Sequence, residues 1–281
     1  MDSTNGDASK RVLAERKGYL MEIKSSINLM VMSFNMRCST ARDGINAFEN
    51  RKPRIEEMLN RYSPDVIGFQ EITPVMREWL VETFSQYYMV GAGRNADLSG
   101  ESCLVAFKKN LFDLVAADTV MLSSTPRVMG SRYEGSDQSE CPRAYTRALL
   151  KHRDIKDPFW FYNVHTDHKG SLARILASQQ LLGDITSHNR NFIMTGDFNA
   201  LPEADEIKML TANAVRKIVD VSENVGGTFH AYGKKESPEK IDYIFTDLRN
   251  KVVDCSIIED EPVNDVYLSD HVPLVAVLEM R

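Results

Sequence analysis

The chain is poor in the residues that staple or metallate small folds. It has four cysteines, Cys38, Cys103, Cys141 and Cys255, and no two of them stand in a CxxC spacing. That argues against a zinc knuckle or a dithiol redox site and points to reduced thiols in a cytoplasmic protein. No apolar run approaches the roughly 18 residues that suggest a membrane-spanning helix. Residues 1–24 repeat Asp, Lys, Arg and Glu without the apolar core of a signal peptide, and read as a polar leader. The sequence also lacks a GxSxG elbow, a P-loop, a GxGxxG fingerprint and an HExxH pair, which weakens serine hydrolase, NTPase, dehydrogenase and zinc peptidase readings. Acidic residues outnumber basic ones, 40 to 34. The formal net charge is −6, a field that does not draw in a polyanion, although a local basic cleft still can.

What is present is a chain able to bury a core, with 43% hydrophobic and 26% charged residues over 281 positions. Short apolar runs predict strands over 28–35, 65–71, 87–93, 102–107, 114–122, 144–150, 159–165, 191–199, 241–247, 251–258 and 272–279. Ile55, Met58, Leu59 and Tyr62 fall at helical spacing, which predicts a helix over 48–62. Further helices are expected over 74–87, where Pro74 opens the segment, over 172–185 and near 203–211. The stretch 123–143 reads as an irregular polar loop. Helices and strands interleave in both halves, and no linker or repeat divides them. This predicts one domain over 25–281, with two sheets packed face to face and helices outside.

The polar residues fall where the apolar runs stop. Asn35 follows LMVMSF, Gln70-Glu71 follows DVIGF, and Asn163-Val-His165 follows FWFY. Asp197-Phe-Asn199 follows FIMTG, Asp242 lies in KIDYIF, and Asp270-His271 precedes VPLVAV. Any one of these suits a turn or a helix cap. Six together form a rim of carboxylate, amide and imidazole. Phosphoester hydrolysis needs such a set: oxygen donors for a hard cation, a group to orient or deprotonate water, and donors for the developing charge.

Five motifs occur in order, SFNMR, DVIGFQE, NVHTDH, TGDFNALP and YLSDHVP, with KIDYIF between the last two. In this the chain resembles the endonuclease/exonuclease/phosphatase superfamily, with its deoxyribonuclease I-like fold, from about residue 28 to the C-terminus. GAGRNADLSGE and GTFHAY are further echoes of a bacterial-type subgroup. The resemblance implies a four-layered α/β sandwich of two packed mixed β-sheets flanked by helices. It also implies a divalent cation, usually Mg2+, with Mn2+ as the alternative. Carried over position by position, Glu71 is the principal metal ligand, with Asn35 beside it and Asp270 as a second metal or leaving-group contact. Asp197 orients or deprotonates the attacking water, Asn199 contacts phosphate, and His165 hydrogen-bonds the scissile phosphate. Asp242 holds His271, which stabilises the transition state or serves as acid or base.

Two departures stand out. Arg147 occupies a position where the subgroup has tryptophan, and VMLSSTP replaces a stretch with an aromatic residue and a glutamate. Both are expected at the substrate rim. Arg94, Arg143 and His230 are substrate-binding candidates, and Arg147 is another residue able to grip phosphate. His168 and Lys169 read as the start of the following helix, Tyr133 as a solvated loop tip, Cys38 as a small packed thiol and KKESPEK (234–240) as a solvated hairpin tip. The scattered arginines 94, 127, 132 and 143 suit one or two phosphates better than a polymer backbone. The expectation is a magnesium-dependent phosphoesterase acting on a compact soluble phosphoester. A DNA or RNA nuclease, a phospholipid phosphodiesterase and a non-catalytic binding protein of the same fold are the alternatives.

Overall fold

The structure, a computed structural model, describes residues 26–247 and 249–280. The expected leader over 1–24 lies outside them. The first sheet runs, edge to edge, β11 (Lys251–Ile257), β12 (Leu274–Met280), β1 (Ile27–Asn35), β2 (Val66–Ile72), β4 (Ser102–Lys108) and β3 (Tyr87–Val90). The second runs β5 (Phe112–Met121), β6 (Ala144–His152), β7 (Phe159–His165), β8 (Phe192–Asp197), β10 (Asp242–Asp247) and β9 (Ile218–Asp220).

Each sheet has one parallel pair at its centre, β1–β2 and β7–β8, flanked by antiparallel neighbours. A parallel pair needs a crossover long enough to return the chain to the same end. Helix α1 (Phe48–Tyr62) supplies it in the first sheet and α3 (Ser171–Thr186) in the second. Two shorter helices, α2 (Pro74–Thr83) and α4 (Asp205–Thr211), join the outer layers. The two mixed sheets with flanking helices are the expected α/β arrangement.

Strand alternation sorts the residues into layers. Leu29, Val31, Val66, Val105, Phe107, Phe159, Phe161, Ile193 and Ile244 meet between the sheets. The intervening positions face outward. Met32, Phe34, Ile67 and Phe69 pack under Ile55 and Leu59 of α1 and Met76 and Leu80 of α2. Tyr162, Phe192 and Met194 pack under Leu181 and Ile185 of α3 and Leu210 of α4.

Three expectations need correction. The helix expected to reach residue 87 stops at Thr83, because Tyr87 turns inward to donate its hydroxyl to the Pro64 carbonyl at 2.6 Å and opens β3. The strand expected to run to 93 ends at Val90. At Gly91 φ is +136°, and an added Cβ would come within 2.9 Å of the Cys103 carbonyl. Strand β9 was not foreseen, since three residues are too few to show a period.

Candidate active site

Continuing the same alternation along each strand, the inter-sheet positions turn polar toward one end. Past Leu29 and Val31, β1 carries Ser33 and Asn35; past Phe159 and Phe161, β7 carries Asn163 and His165. β8 adds Thr195 and Asp197, β10 begins with Asp242, and the segment before β12 adds Asp270 and His271.

Asp197 is the hub. Its Oδ2 accepts a hydrogen bond from Asn35 Nδ2 at 2.9 Å and lies 3.6 Å from His165 Nε2 and 3.8 Å from His271 Nε2. Its Oδ1 accepts the Asn199 backbone N–H at 2.9 Å. His271 Nδ1 donates to Asp242 Oδ2 at 2.8 Å, while the second Asp242 oxygen is buried with no partner among the described residues.

The two histidines flanking Asp197 are pushed in opposite directions. Burial holds His165 well below its ordinary pKa, and the Arg143 and Arg94 charges reinforce this, so it is neutral at pH 7. Burial acts on His271 in the same sense. There the Asp242 charge and hydrogen bond, with Asp197 behind them, win and raise it to about 10, leaving an imidazolium. Burial and the neighbouring Asp242 charge push the Asp197 carboxyl up to about 7 against the pull of His271.

Glu71 reaches this group by breaking the alternation. Its φ is +62°, and the β2–β4 register shifts between Phe69 and Ile72, so the backbone bulges where the carboxylate leaves the strand. Glu71 Oε2 accepts the Cys38 N–H at 2.8 Å and Oε1 accepts from Asn35 Nδ2 at 3.2 Å. Burial alone would raise its pKa. The Cys38 N–H, His271 and Arg37 outweigh burial and lower it. Asp270 is raised by burial and by Glu71, against His271 and an Arg37 guanidinium 3.7 Å away.

Carboxylates thus crowd one cleft. The donor set is one of hard oxygens, which fits Mg2+ or Mn2+ and not a thiolate-seeking metal. Asn35 holds its amide hydrogens, rather than its oxygen, between Glu71 and Asp197, and its oxygen accepts the Arg37 N–H at 2.9 Å. Asp197, Asp242 and His271 also bring one ligand atom each within 4.8 Å of the others, but His271 as an imidazolium has no lone pair to offer a cation.

The model of the endonuclease/exonuclease/phosphatase family matches residues 32–271, which takes in every one of these side chains. The chain belongs to that family. Among solved structures it is similar to an endonuclease/exonuclease/phosphatase from Bacteroides vulgatus, 28% identical with a TM-score of 0.84, over 91% of this chain and 100% of that one. It is also similar to the Bacteroides thetaiotaomicron mannosyl-6-phosphatase Bt3783, 26% identical with a TM-score of 0.80, over 89% of this chain and 99% of that one. The uncharacterised protein L388 of Acanthamoeba polyphaga mimivirus is 22% identical over 248 residues, 83% of this chain and 92% of the relative.

The cleft in this family member has a volume of about 340 Å³. Glu71, Asp197, Asn199, Asp270, His165 and His271 line it, together with Arg94 and Arg143 from the rim. Asn35 and Asp242 stand behind that lining. His230 is not among the lining residues. It packs against Tyr267, accepts the Gly233 N–H on Nδ1, and through its own N–H holds the Asp270 carbonyl at 3.0 Å.

Other expectations shift. Arg147 sits on the outer face of the second sheet, over Trp160 and paired with Asp184 and Asp118. Alternation puts it opposite Thr146, so the exchange of tryptophan for arginine lies under α3 rather than at the rim. His168 is not in the helix, which begins at Ser171; its Nδ1 lies 2.7 Å from Arg143 Nη2, and its ring lines the cleft. Tyr133 is no solvated tip, because its hydroxyl donates to Gln180 Oε1 of α3 at 2.6 Å. Cys38 lines the cleft. Lys240 ends its charge cluster buried, 2.8 Å from Asp220. Arg127 and Arg132 pair with Asp118 and Glu140 and do not line the cleft.

Four residues escaped sequence reasoning. Arg37 binds Asp43 with both Nε and Nη2. Glu101 pairs with Arg94 at 2.9 Å. Asp167 accepts the Ser139, Lys169 and Gly170 N–H groups. Arg51 of α1 is fully buried and donates to the carbonyls of Asn46, Met36, Leu268 and Arg37 at 2.7–2.9 Å. It thereby ties the segment after β1 to the segment that carries Asp270. Strand-end carboxylates advertise themselves in a sequence; an arginine in mid-helix does not.

Proposed function

We propose that the protein is a divalent-metal-dependent phosphoester hydrolase acting by in-line attack of water, with a compact soluble phosphoester as substrate. The observation that carries this reading is that two buried histidines in different surroundings meet one carboxylate: His165 Nε2 and His271 Nε2 lie 3.6 and 3.8 Å from Asp197 Oδ2, and burial disfavours charge on the first while Asp242 favours it on the second. Asp197, with a pKa near neutrality, holds the attacking water and takes its proton. Neutral His165 hydrogen-bonds a phosphate oxygen, and Asn199 contacts another. The His271 imidazolium, kept charged and oriented by Asp242, faces the negative charge that builds in the transition state. Glu71 and Asp270, with Asn35 alongside, would hold Mg2+ or Mn2+. A bound cation supplies neutralisation of the phosphate oxygens and of the departing oxygen.

Two further features support a small substrate. The cleft volume suits a small molecule, and the similar Bt3783 protein is described as a mannosyl-6-phosphatase. The four unpaired thiols support a cytoplasmic location. The test is phosphate release and diester cleavage with Mg2+, Mn2+ or chelator, on the chain and on Glu71→Gln. Activity should need metal, and Glu71→Gln should raise the half-saturating metal concentration by about 10–100-fold. Full activity in chelator would sink the reading. Efficient nicking of DNA with a steep salt dependence and no small-substrate turnover would replace it with a nuclease.

A further inference from the structure

The rim beside His165 has a composition of its own. Arg94 and Glu101 close the base of the 94–101 loop, with the Arg94 N–H donating to the Glu101 carbonyl at 3.0 Å and their side chains paired at 2.9 Å. Next to them stands Arg143, only 5% exposed. Its Nη2 meets His168 Nδ1 at 2.7 Å, and its Nε is 3.6 Å from Asp167. Its Nε and Nη1 are buried without a hydrogen-bond partner among the described residues. A buried guanidinium with spare N–H groups is costly unless something accepts from them. Arg143 lines the cleft, so a ligand can be that acceptor.

The charges on this wall cancel. Arg94 is matched by Glu101 and Arg143 by Asp167, and burial together with the Arg143 charge favours neutral His168. The wall therefore offers many donors and acceptors with no surplus positive charge. A second phosphate would find the Glu101 carboxylate on the same surface, and the Arg143 and Arg94 charges are already offset by Asp167 and Glu101, so the spare Arg143 N–H groups are better met by a neutral acceptor. A nucleic-acid backbone would meet the same obstacle. A neutral alcohol bearing several hydroxyls suits it, because each hydroxyl both donates to a carboxylate and accepts from a guanidinium.

We infer that this wall binds the alcohol part of the substrate, and that this alcohol is neutral and polyhydroxylated, so that the substrate is a sugar monophosphate. This rests on the phosphoesterase reading. Hydrolysis then adds water across the P–O bond, releasing free sugar and inorganic phosphate.

The experiment measures phosphate release by the full chain with Mg2+ from five probes. These are mannose 6-phosphate, glucose 6-phosphate, fructose 1,6-bisphosphate, p-nitrophenyl phosphate and a single-stranded oligonucleotide, the last followed by cleavage on a gel. At least one hexose monophosphate should exceed the aryl phosphate and the bisphosphate in kcat/KM by about tenfold or more, the order of effect expected from one or two hydrogen bonds to charged groups. In Glu101→Gln and Arg143→Lys that preference should shrink by about tenfold, through KM more than kcat. Aryl phosphate turnover without a sugar preference, or a preference for the bisphosphate or the oligonucleotide, overturns the inference and leaves a phosphoesterase standing. No release or cleavage from any probe overturns both. Should either variant fail to fold, the panel on the unaltered chain still decides.

Discussion

The seam between the two sheets has two ends that differ in everything except their strands. At the sealed end Leu29, Val31, Phe159, Phe161, Ile193 and Ile244 interlock without polar atoms. At the open end the last inward positions of the same strands are Asn35, His165, Asp197 and Asp242. Between them lies a thin polar layer. Asn163 of the second sheet donates to the Phe69 and Leu104 carbonyls of the first and accepts from Gln70 Nε2 at 2.6 Å, and Thr195 Oγ1 lies 3.3 Å from the same oxygen. Gly68 sits opposite, where an added Cβ would be 2.0 Å from Thr195 Oγ1. The difference teaches a division of labour along a strand. Apolar packing is gathered at one end and titratable side chains at the other, and the middle fixes the spacing between sheets so that four strands can deliver side chains to one point.

The division can be broken first at the sealed end. Phe161→Ala should cost about 3–5 kcal/mol of stability, since a fully buried ring is removed and a cavity remains. Denaturant unfolding reads this, and the folded fraction should keep its turnover. A large fall in specific activity of the folded protein would mean the two ends are not separable.

At the open end the expectation is reversed. Asp197→Ala and His271→Ala should each lower turnover by about 100-fold or more, and the double variant should fall little further, because the residues act as a unit. The melting temperature should hold or rise in Asp197→Ala, where burial and Asp242 disfavour the charge removed, and should fall in His271→Ala, which leaves Asp242 buried without its partner. A folded His271→Ala protein with near-normal turnover would remove His271 from the chemistry.

The middle layer should couple the two. Gly68→Ala forces Thr195 and Asn163 to move and should cost about 1–3 kcal/mol. Activity should fall with it by a smaller factor than at the open end. A variant that loses stability but keeps full kcat would show that sheet spacing does not govern the site.

The smallest effect concerns the rim and acid. Asp167, held by three backbone N–H groups and Ser139, has its carboxyl lowered from 3.8 to about 2 despite burial. A depressed carboxylate contributes stability that is complete above its unfolded pKa and lost as pH falls through its folded one. Wild type should therefore lose stability between about pH 4 and pH 2 by more than Asp167→Asn does. Parallel acid melts would break this assignment.

Much of the site was legible because strand alternation and strand ends are both written in the sequence. Asn35, His165, Asp197 and Asp242 lie on inward parity, one step beyond apolar neighbours, and the cleft gathers them or places them directly behind its lining. The same parity places Arg147 on the outer face, since Thr146 faces between the sheets. Glu71 was found by its motif, while its left-handed bulge was invisible because φ leaves no mark on a glutamate. Glu101, Asp167 and Arg51 were missed for another reason. Their partners are set by where loops and a helix settle in three dimensions, which local patterns do not carry. The helix boundaries followed the apolar period well for α1 and poorly for α2, where the inward turn of Tyr87 overrode it.

One feature of the first sheet reaches back to the making of the protein. β1 has β2 on one side and β12 on the other. Translation supplies the first neighbour early, but the second, residues 274–280, only after the other strands of both sheets have been made. Through that interval β1 has an edge of unpaired N–H and C=O groups, the kind that captures other chains. The same late segment brings Asp270, His271 and the Leu268 carbonyl that Arg51 grips. A nascent chain stopped short of it lacks both the strand that completes the sheet and the residues that complete the cleft, so the cleft can assemble only after the last of these strands has been made.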